Sequence, residues 1–118
     1  MVNEEDVRRI CLSLPESIEK PYGGQPGFRV KGKLFARIRE KPDALVVMRP
    51  DILEKEALIA SEPGKFFQTP HYEGHQAVLV HLEAIDVDEL EELLTESWEL
   101  TAPARLVATF AAGRSSTL

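Results

Sequence analysis

The chain has 118 residues and a mass of 13.2 kDa, room for one core, and its 43% hydrophobic and 29% charged residues place it with soluble globular domains rather than disordered or low-complexity chains. No apolar run approaches the roughly 20 residues of a membrane-spanning helix, and MVNEEDVRR carries acids where a secretory signal would be basic, so a cytoplasmic location is expected. The single cysteine, Cys11, excludes an intrachain disulfide and a multi-cysteine metal site, while the formal charge of −6 argues against indiscriminate affinity for nucleic acid or anionic membranes.

Asn3 is a good helix N-cap, followed by Glu4, Glu5 and Asp6, where the helix dipole favours negative charge. Val7, Ile10, Cys11 and Leu14 then recur at helical spacing until Pro15 ends the run. Gly23, Gly24, Pro26 and Gly27 mark a loop. Beyond it the period falls to two. Phe28 to Lys31 and Leu34 to Arg39 alternate about a turn at Gly32-Lys33, which predicts a β-hairpin. In its second strand Leu34, Ala36 and Ile38 should share one face, and Phe35, Arg37 and Arg39 the other. A turn at Lys41-Pro-Asp43 leads to the apolar run Ala44 to Met48, a central strand completing a three-stranded meander.

A second helix is predicted from Ile52 to about Ala60, with Phe66-Phe67 plugging the core after the turn that follows it. Thr69 to Gly74 reads as an irregular loop or short edge strand with Tyr72 packed inward, and Ala77 to Leu82 as a further strand. Asp86 and Glu89 have capping-box spacing before a helix from Val87 to about Leu100, whose buried side holds Leu90, Leu93, Leu94, Ser97 and Trp98. Thr101 should cap a last helix, with Pro103 near its first turn, running to about Ala111. The expected organisation is a single α+β domain over residues 1–112, an antiparallel sheet covered on one face by helices, with 113–118 a frayed polar tail.

Charge is unevenly distributed. From Lys20 to Arg49 eight basic residues face only Glu40 and Asp43, a segment of +6; the remainder, six basic against eighteen acidic, carries −12. Arg29, Lys31, Arg37 and Arg39 alternate on two strands, Lys33 lies at their turn, and Phe35 stands among them as a stacking surface, the elements of a phosphate-backbone site. A plain solvated face balanced by acidic helices is the competing reading. His71 and His75, with His81 beyond, have the spacing of metal ligands only in a helix, and Pro70 and Gly74 oppose one there. Gly23-Gly24-x-x-Gly27 lacks the strand-to-helix setting of a nucleotide loop, and no nucleophile, base and orienting group converge. The acids of the Val87 helix, Asp88, Glu91, Glu92, Glu96 and Glu99 among them, read as a solvated face.

A collinear set of segments carries a resemblance. Ser13-Leu-Pro-Glu16 is followed by Gln25-Pro-Gly-Phe-Arg-Val-Lys-Gly-Lys-Leu-Phe-Ala36, Phe66-Phe67, Pro70-His-Tyr72, Ala77-Val-Leu-Val80, Asp88 to Trp98 and Ala102-Pro-Ala-Arg-Leu106. In their order and spacing the chain resembles the MmcQ/YjbR family of small bacterial proteins from about Val7 to Ala108. The resemblance implies a frataxin/CyaY-like fold and a DNA-binding label that rests on analogy of fold. It matches Lys33 to the family's characteristic lysine and sets Gln76-Ala77 where many relatives carry an aromatic. The frataxin likeness also raises iron binding through an acidic first helix, but Arg8-Arg9 follow the acids here and the strands are basic. The expectation is therefore a non-enzymatic protein without cofactor that binds nucleic acid through Arg29, Lys31, Lys33, Phe35, Arg37 and Arg39. The alternatives are a module that docks an acidic protein or a second copy, and a metal site at His71 and His75.

Overall fold

In the computed structural model, which describes residues 2–39 and 44–115, Asn3 caps α1 (Glu4–Ser13). Its side chain accepts from the Asp6 amide, and the Asp6 carboxylate accepts from the Asn3 amide, both at 3.0 Å. Val7, Ile10 and Cys11 face inward, and Leu14, fixed in an extended conformation before Pro15, ends the helix. The chain then makes β1 (Ser17–Glu19), a strand where the sequence shows only a loop, because three residues are too few to display a period.

β2 (Gly27–Val30) and β3 (Lys33–Arg39) form the expected hairpin, with its turn one residue early. Lys31 and Gly32 both have positive φ, 50° and 81°, as a type I′ turn requires, and Lys33 already belongs to β3. β4 (Ala44–Met48) follows; the turn expected at Lys41 to Asp43 lies outside the described residues. β5 (Phe66–Phe67) and β6 (Ala77–Val80) complete an antiparallel sheet ordered β1-β2-β3-β4-β6-β5 among the described residues. Phe66-Phe67 is thus an edge strand as well as a core plug.

α2 (Ile52–Ser61), α3 (Val87–Thr101) and α4 (Ala104–Ser115) are the remaining described α-helices, and single 3-10 turns form at Pro70–Tyr72, where a loop or edge strand was expected, and at Leu82–Ala84, so that the strand expected to reach Leu82 ends at Val80. Asp86 caps α3, accepting from the Glu89 amide at 2.8 Å. Thr101 does not cap α4. It is the last residue of α3, and its hydroxyl donates back to the Ser97 carbonyl at 2.9 Å, while the Pro103 carbonyl accepts the Leu106 and Val107 amides of α4. α4 carries the chain to Ser115, past the expected Ala111; of the tail at 113–118, residues 116–118 lie outside the described residues.

The main core lies between one face of the sheet and α1, α3 and α4, with Phe28, Val30, Leu45, Val47, Val78, Val80, Leu90, Leu94 and Trp98 at its centre. Trp98 closes it, donating its indole N–H to the Pro15 carbonyl at 3.1 Å. The opposite, outer face has a smaller cluster of Ala44, Val46, Ala77, Leu79 and Tyr72, covered by the segment 68–76. β4 and β6 are therefore buried on both faces, which is why their sequences are continuously apolar. The β2–β3 half of the outer face carries the arginines.

Candidate functional site

The arginines owe their placement to a β-bulge. Phe28 pairs with Ala36 but Arg29 pairs with Leu34, which leaves Phe35 as an extra residue on β3. The extra residue shifts the alternation by one. Leu34 comes to lie on the side of Arg29, Arg37 and Arg39, and Phe35 turns into the main core at 1% exposure. The expected roles of Leu34 and Phe35 are thus exchanged, and Phe35 offers no stacking surface.

The same bulge meets α3. The next β3–β4 pair would be Phe35 with Met48, but the Ser97 hydroxyl stands between them, accepting from the Met48 amide at 2.8 Å and donating to the Phe35 carbonyl at 2.5 Å. Just outside this wedge a small apolar notch opens beside Arg37, lined by Leu34, Val46 and Met48.

Two tyrosines organise the arginines. The finger at residues 20–27 folds back on the hairpin: Tyr22 and Gln25 exchange backbone hydrogen bonds of 2.8 and 3.1 Å about Gly23 and Gly24, both at positive φ. Gly27 makes room for it, since a Cβ there would lie 3.0 Å from the Lys20 carbonyl and 3.1 Å from the Tyr22 Cβ. The Tyr22 ring is 43% exposed and lies 4.8 Å from the Arg37 guanidinium carbon and 5.9 Å from that of Arg29, both within cation–π range. On the other side Arg37 donates to the Tyr72 hydroxyl from Nη2 at 2.6 Å and from Nε at 3.2 Å, and Arg39 lies 5.7 Å from the Tyr72 ring. The result is a row: Arg29, Tyr22, Arg37, Tyr72, Arg39.

Among the described residues Arg29 and Arg37 have no carboxylate within ion-pair distance. Arg29 donates from Nη1 to the Gly32 carbonyl at 3.3 Å, and its Nε is buried without a hydrogen-bond partner. The other basic residues lie elsewhere. Lys31 is bonded to the Glu16 carboxylate, which holds that acid below its usual range. Lys33, exposed, pairs with core-facing Val30 and so leaves the sheet at its end. Arg49 is 5% exposed, held by Glu54 and Glu96 at the helix side. Of the expected site, Arg29, Arg37 and Arg39 come together; Lys31, Lys33 and Phe35 do not join them.

Tyr72 is fixed by a residue that the sequence did not single out. Lys55 of α2 is 1% exposed, and its ammonium donates to the carbonyls of Tyr72 at 2.6 Å and His75 at 2.7 Å, tying down the segment that covers the outer face. Burial lowers its pKa. Tyr22, too, was passed over: its signal was a tyrosine directly before the glycine pair of a tight turn.

His71 and His75 stack, with ring centroids 5.9 Å apart, while His81 stacks on Phe67 at 4.1 Å. Among the described residues no three potential metal ligands gather in one place. Cys11 is wholly buried, and that burial, followed by the nearby Glu19 charge, pushes its thiol far above the usual range.

A family model described as YjbR matches residues 12–100. The Mycobacterium tuberculosis protein Rv2570 and the Mycobacterium bovis protein Mb2600, both named as uncharacterized, are each 40% identical to this chain over 126 residues, covering 95% of it and 98% of the relative. The crystal structure of Deinococcus radiodurans DR2400, a DUF419 domain, is similar with a TM-score of 0.72 at 27% identity, over 85% of this chain and 78% of that one. A family match across most of the length, with relatives this similar from end to end, places the chain in the YjbR family.

Proposed function

We propose that this protein binds nucleic acid, without catalysing a reaction, through the arginine row on the outer face of its sheet. The observation that carries this reading is the pair Arg29 and Arg37: guanidiniums held in place by tyrosine rings and carbonyls, with no described carboxylate to neutralise them. Cations arranged in this way are available to phosphates and set affinity and register rather than base sequence. Frataxin-like iron handling is not proposed, because the first helix uses its acids internally. Glu4, Glu5 and Glu19 converge on Arg8, and Asp6 completes the cap. No described helix is long and apolar enough to cross a membrane, and the cytoplasm is the proposed location.

Fluorescence anisotropy with labelled DNA at two salt concentrations tests the reading. Three phosphate contacts predict a loss of roughly twenty- to fortyfold in affinity between about 50 and 200 mM salt. The Arg29→Glu/Arg37→Glu variant should lose binding while keeping the circular dichroism of the fold. Affinity unchanged in that variant rules the reading out. A second reading rests on the opposite pole, where Asp88, Glu91, Glu92, Glu96 and Glu99 line one groove of α3: the arginine row docks an acidic protein or another copy's α3. Light scattering that falls as salt is added would favour it.

A further inference from the structure

The reading just given says that the outer face meets nucleic acid; we infer, resting on that reading, that its ligand class is single-stranded, with Tyr22 stacking on an unpaired base while Arg29 and Arg37 hold phosphates beside it. The first support is the form of the surface. Reading a duplex inserts a helix or a two-stranded ribbon into a groove, whereas α1 and α3 pack on the other face of this sheet and the β2–β3 hairpin is flanked by β1 and β4, so what is offered is a strand surface between the Tyr22 finger and the segment 68–76. Sheet faces bearing aromatic side chains and arginines suit splayed bases, because every base has a π-face to stack.

Tyr22 is the second support. It is an exposed large apolar side chain, set on a tight glycine turn and braced against two guanidiniums, so little further ordering is needed for it to stack. Tyr72, the other ring of the row, is 9% exposed and serves Arg37 instead. Beside Arg37, the apolar notch at Leu34, Val46 and Met48 gives a base edge an apolar neighbour.

Charge is the third. The chain carries −6 overall, and the cations of the outer face, Arg29, Arg37 and Arg39, form one narrow row. A duplex presents a phosphate every ~1.7 Å of axis, on two strands, more charge than a row of three arginines can match. A single strand can follow the row alone.

The experiment is an anisotropy titration of the whole chain with a labelled mixed-sequence oligonucleotide of about 16 nucleotides and with its duplex. Wild type, Tyr22→Ala, Tyr22→Phe and Arg29→Glu are compared, with urea denaturation of each to confirm the fold. The inference expects the single strand to bind more tightly, by about tenfold or more. Tyr22→Ala should weaken that binding roughly five- to a hundredfold, and Tyr22→Phe should restore it, since the ring is what stacks. Duplex binding at least as tight as single-strand binding, or indifference to Tyr22→Ala, overturns the inference; if that binding is still lost in Arg29→Glu, nucleic-acid binding by the face survives. Binding of neither oligonucleotide removes both.

Discussion

Lys55 shows how a single residue can be misread when only its type is known. A lysine on a helix reads as solvated, but its partners, the carbonyls of Tyr72 and His75, are remote in sequence and only the folded chain supplies them. Replacing it with methionine keeps the stem and removes both hydrogen bonds, to the buried Tyr72 carbonyl and the partly buried His75 carbonyl. Lys55→Met is expected to lower unfolding stability by roughly 1–3 kcal/mol, measured by urea titration near neutral pH. Cys11, by contrast, was legible: its place in the apolar stripe of α1 predicted its burial. In the folded chain the thiol keeps its proton, while in the unfolded chain it ionises near its ordinary value of 9.0. The folded state therefore holds more protons above that pH, and its stability falls as pH rises. Between about pH 8 and about pH 10 wild type should lose about 1.4 kcal/mol more than Cys11→Ala. Comparing the two chains cancels the opposite trend from Lys55, whose lowered pKa makes stability rise with pH up to the ordinary lysine value of 10.5.

Among elements, α1 and α3 place apolar residues at the spacing of one buried face, β4 and β6 were legible as continuous apolar runs, and the hairpin was placed correctly apart from its turn. β1 and β5, of three and two residues, are too short to repeat anything. The bulge was invisible for a different reason. Alternation counted straight through Phe35 remains plausible, yet the extra residue reverses every side downstream of it relative to β2. What holds the bulge is the Ser97 hydroxyl, standing where a β3–β4 hydrogen bond would have formed. Ser97→Ala leaves the Met48 amide and the Phe35 carbonyl without a partner inside the protein, and should cost about 2–4 kcal/mol in urea unfolding. Ser97→Thr, which keeps the hydroxyl, separates this loss from simple repacking. The finger at 20–27 was equally hard to foresee, because its fit depends on Gly27 lying against Tyr22, a contact that sequence spacing does not encode.

At the scale of the molecule, the charge imbalance was plain in the sequence and its meaning was not. The +6 segment divides into parts with different work: Arg49 buried between Glu54 and Glu96, Lys31 tied to Glu16, Lys33 at the end of the sheet, Lys20 exposed at the start of the finger, and three arginines on the outer face, with Lys41 outside the described residues. Only the last group makes a surface. A net charge counts all of them equally, whereas burial and pairing decide which of them a ligand can meet. The binding prediction therefore belongs to three side chains rather than to the whole basic segment, and single substitutions can test it.

The order of the strands has a consequence for how two copies can meet. The long strands β3 and β4 are interior, and the sheet ends in β1 and β5, three and two residues long. Such short margins provide too few unpaired amides and carbonyls to recruit a strand from a neighbour. Growth of the sheet from chain to chain is closed to the folded protein. Any partner must approach face on, across side chains, and it is on those faces that the two poles of charge are displayed.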